Sequence, residues 1–502
     1  MANDEWVLGI DLGTTNTAAV AFGPDRPGPL SILHGRQQPV LPSVVSFKNP
    51  ELPLVGWLAK DMLLTDPLTT MHGWKRFLGR RERSEYVNRY RSRFPFRIHE
   101  DPNRQLGAVV HGRVVPFVEM ARLVLDQVRR QAAAALRADV RRAVVSVPAH
   151  FAQAQRDAIR HAAEQANLQI LRIVNEPTAA AIAFAMNHSL DSSALVFDLG
   201  GGTFDATVLE LTDNIFDVRA SGGDSFLGGT DFDRAIMDRL IEHCRDQHRV
   251  DPTEEPVVAQ RLLNAAEAAK CGLSSEREVR IHVPMVGHDR KGRSFDLDYQ
   301  LTRDELESLT APLVERCIGI VEQSVAKAGL TKNDLEHVVV IGGQSRMPLV
   351  RRRILETLGR PPLTHLDPDT CVAHGAALVA RGEDDLAGAV LLDVLSVPIG
   401  IVFPGGETRF VFQTNDSLPA RRRVPLPTPN IGTGLSMGLW QGIDVTSSER
   451  QVLGILNVAP RHFMSGTDFA LEIELDENLN LRASFSSTVE RTPLVLSPSQ
   501  RS

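Results

Sequence analysis

Two short strings carry the residue types needed to hold a chain of phosphates. Val7-Leu8-Gly9-Ile10-Asp11-Leu12-Gly13-Thr14-Thr15-Asn16 is an apolar run that ends in Asp and a Gly/Thr turn, and Ala194-Leu195-Val196-Phe197-Asp198-Leu199-Gly200-Gly201-Gly202-Thr203 repeats the pattern 187 residues later (11 to 198). Successive N–H groups and hydroxyls in such turns can wrap phosphate oxygens. An aspartate at the strand end can hold hydrated Mg2+, a hard cation that keeps most of its waters. One Asp-Leu-Gly alone is an ordinary tight turn. Two copies with matching surroundings predict two lobes that clamp a nucleotide from both sides. No Gly-Lys pair occurs in the chain, which excludes a Walker-type phosphate loop.

The elements that would position these turns can be read from periodicity. Each turn leads into a second apolar run, Ala18 to Phe22 and Ala206 to Leu211, so each is expected to be a β-hairpin. Val118 to Leu136 has helical spacing, Arg142 to Pro148 reads as a buried strand, and Gln153 to Asn167 as a helix. Ile170 to Val174 is a strand running into Asn175-Glu176-Pro177, followed by an alanine-rich helix from Thr178 to Ala185. Further helices are expected at Val257 to Leu273 and Cys371 to Arg381, with a strand at Val338 to Ile341 ending in Gly342-Gly343. The pattern then changes. Polar Arg381-Gly-Glu-Asp-Asp precedes an apolar hexamer, 389–394, and beyond it the chain is nearly all β. Phe469, Leu471, Ile473 and Leu475 alternate with Ala470, Glu472 and Glu474, and Leu479, Leu481, Ala483 and Phe485 resume after a turn. The expected division is 1–388, a linker at 389–394, and a β-domain at 395–502.

Composition bounds the function. The chain has 502 residues, 43% hydrophobic and 23% charged, with net charge −7 and pI near 6.1. Its basic residues read as scattered, which argues against a nucleic-acid groove. The four cysteines (Cys244, Cys271, Cys317, Cys371) are far apart, against zinc or a disulfide framework and for a reducing compartment. No apolar run reaches membrane-spanning length and no signal-like segment opens the chain, so a cytoplasmic, non-membrane protein is expected.

These strings resemble the 70-kDa heat-shock chaperone family, DnaK type, over essentially the whole chain. Residues 9–16 are similar to the family's first phosphate loop, Asp198 to Asp205 to its second, 174–180 to the signature between them, and 338–348 to its adenosine motif. The resemblance implies an α/β two-lobed, actin-like ATPase domain (a duplicated ribonuclease-H-like fold), followed by an antiparallel β-sandwich that binds peptides. It implies that Lys75 reaches the γ-phosphate and attacking water, and that Glu176 orients that water. Gly13, Thr14, Thr15, Asn16, Gly200, Gly201, Gly202 and Thr203 would surround the phosphates. Asp11, Asp198 and Asp205 would hold Mg2+ through water, with K+ nearby. Gly228, Gly229, Glu267, Lys270 and Ser274 would meet the nucleoside, the last three on one helix face, and Gly342, Gly343, Gln344, Arg346 and Asp369 would close the adenosine pocket. Taken alone, Lys75 reads as a solvated lysine and Glu176 as a carboxylate at a helix N-terminus.

Several positions depart from the family pattern. Cys271 replaces an arginine that some members stack on adenine, Thr230 an acidic residue, and Gln344-Ser345 a Ser-Thr pair. His150 and His374 stand where tyrosines are common and are expected to be packing substitutions. Val390, Leu391, Leu392 and Asp393 resemble the interdomain linker, whose apolar cluster would dock and release; the lesser alternative on local pattern is the first strand of the β-domain. Ile401, Phe403, Leu426 and Leu435 are candidates for the peptide pocket or for the β-core. Pro404, Pro425, Pro427 and Pro429 depart from the usual loops. The chain is expected to be short of the family's helical lid, with weak peptide retention. Implied ligands are ATP/ADP and client peptides, with a J-domain cochaperone and a nucleotide-exchange factor as partners and neither nucleic acid nor membrane. The rival readings are a scaffold dedicated to one client and a small-molecule kinase on the same fold.

Overall fold

The computed structural model describes residues 5–23, 28–185, 192–212, 215–289, 291–363, 366–381, 390–427, 433–443, 447, 449–463 and 468–497. Both Asp-Leu-Gly turns close antiparallel hairpins: Val7–Leu12 pairs with Asn16–Phe22, and Ser192–Leu199 with Phe204–Thr212. The likeness extends outward from the hairpins. Val7–Leu12 takes Arg142–Val147 as a parallel neighbour, and Ser192–Leu199 takes His337–Ile341 in the same way. On the other side each hairpin gains a further antiparallel strand, Leu30–Ser31 in the first sheet and Ile215–Asp224 in the second. Two sheets of one plan therefore stand behind the two turns. Their central strands are buried almost throughout, which is why they read as unbroken apolar runs rather than as alternation.

Each lobe has its own core, one around Trp74, Phe77 and Phe117, the other around Phe204, Phe232 and Ile236. A third apolar layer joins them, built on the helices Glu176–Ala185 and Cys371–Arg381. Those helices touch backbone to backbone. A Cβ at Gly375 would lie 1.7 Å from the Ala179 carbonyl oxygen, and one at Gly9 would lie 2.0 Å from the Ala377 nitrogen. Alanine is the better helix former by about 1 kcal/mol, yet forced overpacking costs about 1–3 kcal/mol or more, and here the obstacle is backbone that cannot turn aside. Gly375→Ala should therefore lower the melting temperature by several degrees despite its propensity; a rise in thermal denaturation would refute this contact.

The β-region is two stacked sheets. One runs Thr408–Phe412, Ile399–Val402, Leu435–Gln441, Gln451–Val458, Leu496–Ser497; the other runs Ala420–Pro425, Ala470–Leu475, Leu481–Ser486, Arg491–Leu494. The alternating residues Phe469, Leu471, Ile473, Leu475 and Phe485 face Ile399, Phe412, Leu439 and Leu456 in one core. The pattern after Phe485, with Pro493 and Pro498, predicts no packed helical domain. Two short edge strands form there, and Pro493 is tolerated because the outer side of an edge strand needs no N–H donor. Residue 389, Pro429 and the C-terminal tail 498–502 lie outside the described residues.

The linker segment Val390–Leu392 is a strand, but not of the β-domain. It pairs parallel with Ile215–Asp224, Val390 opposite Ile215 and Leu392 opposite Asp217, and so extends the second-lobe sheet by one. Among the described residues no helix is long and apolar enough to cross a membrane.

Candidate active site

The two turns face each other across a cavity of about 430 Å3. Asp11, Gly13, Thr14, Thr15 and Asn16 line it from one hairpin, and Asp198, Gly200, Gly201, Gly202 and Thr203 from the other. The turns approach so closely that a Cβ on Gly201 would fall 2.1 Å from the Thr15 hydroxyl oxygen. The second turn is fastened from behind. Gly229 and Thr230 donate backbone N–H groups to the carbonyls of Gly200 and Gly201, each at 2.9 Å, and the Thr230 hydroxyl donates to Gly201 at 2.8 Å. The Thr230 departure is thus a structural clasp on the phosphate turn.

Lys75 enters from a single helical turn, Trp74–Phe77, and its Nζ donates to Glu176 Oε1 at 2.8 Å. Lys75 is 1% exposed, which removes the solvated reading. Glu176 opens the helix Glu176–Ala185, where the dipole favours its charge. Burial nevertheless pushes its pKa up to about 7; Lys75 opposes this, while Asp11 and Asp205 add to it. Asp198 is held well above the usual carboxylate range by burial and by Glu176, Asp205 and Asp11. Asp11 is also raised by burial, against Lys75 and a hydrogen bond from Ser146. Several buried carboxylates thus share one ammonium, a surplus of negative charge that a divalent cation would balance. Among the described residues no cluster of three or more ligating side chains could grip a metal directly. The donor set fits Mg2+ held through its waters.

At the other end of the cavity lie Glu267, Lys270, Ser274, Gly342, Gly343, Gln344, Arg346 and Asp369. Four expectations change in detail. Ser274 does not share the helix face of Glu267 and Lys270, because the helix Pro256–Gly272 ends before it. Lys270 is not free: it pairs with Asp233 at 2.8 Å and donates to the Gly229 carbonyl at 3.0 Å. Gly228 lies behind the turn, its N–H donating to Asp231. Asp205 stands opposite Asp198 across the hairpin but does not line the cavity; its Oδ1 lies 3.0 Å from His150 Nδ1. Arg346 and Asp369 form a half-exposed pair, 2.9 Å apart, and exposed Cys271 lines the cavity.

Sequence reasoning missed Arg76. This residue is 3% exposed and donates to the Gly202 carbonyl at 2.7 Å and to Asp231 at 3.0 Å, tying the first lobe to the second turn. Its signal was a second cation among Trp74, Phe77 and Leu78, where a solvated arginine has no reason to be. Arg76→Met should weaken nucleotide binding by about tenfold or more, because the buried Gly202 carbonyl loses both guanidinium hydrogen bonds while Asp231 keeps only Arg93 and the Gly228 N–H. Titration calorimetry checks this; unchanged affinity would remove the positioning role.

The peptide-pocket candidates are corrected. Ile401, Phe403, Leu426 and Leu435 are 0, 5, 8 and 6% exposed and belong to the sandwich core. Alternation identified their inward face, and that face is packed.

Asp393, beyond the linker strand, is half-buried and accepts from Asn175 Nδ2 at 2.7 Å; Asn175 in turn accepts from buried Arg156 and precedes Glu176 in the chain. The linker carboxylate therefore reaches the neighbour of the glutamate that holds Lys75. The β-domain also touches the first lobe directly, through Gln153 N–H to Gln441 at 2.8 Å and an Arg80–Glu449 pair at 2.7 Å.

The model of the Hsp70 protein family matches residues 7–452. This chain belongs to the Hsp70 family. It is 35% identical over 478 residues to the chaperone protein DnaK of Deinococcus deserti, covering 94% of this chain and 75% of that protein. It is 38% identical over 452 residues to DnaK of Thermus thermophilus, covering 89% and 72%. This Hsp70 is an ATP-hydrolysing molecular chaperone, with the family's two-lobed ATPase followed by a β-rich domain. Like the family at large it binds nucleotide with Mg2+.

Proposed function

We propose that ATP occupies the cavity between the hairpins and that its hydrolysis governs docking of the linker, and with it peptide binding in the β-domain. The observation that carries this reading is the buried Lys75–Glu176 pair set between two Gly/Thr turns. Thr14, Thr15, Gly201, Gly202 and Thr203 would bind the phosphates, and Asp11 and Asp198 the waters of Mg2+. Bound Mg2+ supplies charge that offsets the triphosphate. Lys75 Nζ would hold the γ-phosphate, and Glu176 would accept a hydrogen bond from the attacking water. Phosphoryl transfer to water depends on such positioned charge. K+ beside Asp205 is supported by an Oδ2 that has no partner among the described residues. Glu267 and Arg346 would meet the nucleoside.

The division at 388 is part of this reading, supported by the separate β-core. Client polypeptides, a J-domain cochaperone and an exchange factor are the proposed partners. A cytoplasmic site of action is supported by the free thiols of all four cysteines.

Glu176 supplies the test. Its pKa is raised, so the carboxylate form is present above about 7 and lost as pH falls below it. Turnover should rise along a single titration limb through that range in wild type, without any small-molecule acceptor. Glu176→Gln should be slow and flat across the same range. A steep limb persisting in the variant, or a requirement for an acceptor metabolite, would overturn the assignment.

A further inference from the structure

A cavity of about 970 Å3 lies apart from the nucleotide site. It lies between the first lobe and the β-domain segment 449–452. The stretch 76–104 that forms much of its lobe side holds nine arginines against four acidic residues, within a chain of net charge −7. The basic residues are therefore not scattered; this segment concentrates them.

Most of the excess is absorbed by pairing. Arg76 and Arg93 bind Asp231, and Arg91 binds Glu82. Arg80 binds Glu449, whose other oxygen takes the Tyr86 N–H at 2.9 Å, so that pair is a hinge pin between the two domains. Of those left over, three line the cleft. Arg81, Arg83 and Arg104 line it from the lobe and Arg450 from the β-domain. Arg81 donates to the Arg104 carbonyl, and among the described residues Arg83, Arg104 and Arg450 make no ion pair. The two carboxylates in the wall, Glu100 and Glu449, already accept hydrogen bonds. Val118 and Val452 supply an apolar side to the same cavity.

We propose that this cleft is a second anion site that takes a polyphosphate chain, either inorganic or the tail of a nucleotide. Guanidinium forks arriving from three chain segments match the spread oxygens of linked phosphates. The volume lies in the range of small-ligand pockets rather than of an extended peptide groove. Because Arg450 belongs to the β-domain and the others to the lobe, an anion there bridges the two and favours the arrangement in which the linker is docked.

The experiment uses the full chain saturated with ADP and Mg2+, with inorganic tripolyphosphate as probe in calorimetry. One equivalent should bind, more weakly as salt is raised. Arg83→Glu combined with Arg450→Glu should weaken it by about tenfold or more, with basal ATP turnover unchanged. Tripolyphosphate should also slow proteolysis at 390–393 in wild type but not in the double variant. If ATP displaces the probe at lower concentration than added tripolyphosphate does, the source is a nucleotide; if not, the bare chain suffices. No saturable binding at millimolar probe, equal binding by the double variant, or tighter displacement by hexaglutamate would each overturn the proposal, the last in favour of an acidic peptide. Arg450→Lys with Arg83→Lys, which keeps the charge, should retain part of the affinity, and its failure to do so while folded would also count against the site.

Discussion

Lys75→Ala keeps nucleotide bound within a few-fold and lowers ATP turnover by about a hundred- to a thousandfold. Binding survives because the turns at Thr14 and Gly201, the far wall at Gly342 and the Arg76 clasp are untouched. Turnover falls because the one buried ammonium among Asp11, Glu176 and Asp198 is gone. The variant should still fold. Glu176, whose pKa already lies near 7, takes up a proton instead of remaining an unpaired buried charge. That protonation adds to the defect, since a neutral carboxyl no longer orients water by accepting its proton. Nucleotide affinity measured beside single-turnover hydrolysis separates the two effects. Wild-type turnover in the variant would sink the assignment of Lys75, and lost binding would mean that its role is to hold the nucleotide rather than to promote hydrolysis.

Asp393→Ala frees the linker strand, cutting the docked population by about ten- to a hundredfold. In the docked arrangement Asp393 accepts from Asn175 at 2.7 Å and from Val394 N–H at 2.8 Å. It is also the leading charge opposing the effect of burial on Arg156, which holds that guanidinium down to about 10. Removing the carboxylate leaves Asn175 without its acceptor and Arg156 without its strongest opposing charge. Proteolysis at 390–393 should accelerate accordingly, and peptide should cease to stimulate ATP turnover. Asp393→Asn keeps the shape and an acceptor and should fall between. Burial raises the Asp393 pKa, with Val394 N–H and Arg156 opposing, so the docked form binds a proton more tightly than the free linker does. Docking should therefore strengthen as pH falls toward the ordinary aspartate range, and Asp393→Asn should lose that dependence. Unchanged proteolysis in both variants would refute the relay.

The hairpins, their parallel neighbours and nearly every cavity-lining residue were legible because Gly/Thr turns flanked by apolar runs admit few structures. Other features depended on information that local pattern does not carry. Arg76 was invisible because its partners, Gly202 and Asp231, are far away in the chain. Asp205 faces His150 because an antiparallel strand moves it one strand-width from Asp198. Ser274 fits the heptad arithmetic only if the helix continues, and it stops at Gly272. In the sandwich, period two distinguishes inward from outward but cannot tell a packed core from a pocket, so Ile401 and Phe403 remained ambiguous. The last two strands are short and one holds a proline, which hides any period.

The strand Val390–Leu392 pairs with Ile215–Asp224, the last strand of the second-lobe sheet. When it leaves, that border shows a row of unanswered N–H and C=O groups, with Ile215 already 37% exposed. A bare sheet border of this kind recruits other strands and promotes self-association. If nucleotide governs docking as proposed, the same three residues would act as a removable guard rail. Each such cycle would uncover a sticky seam on the enzyme itself, and fast re-docking would protect the chaperone from becoming its own client.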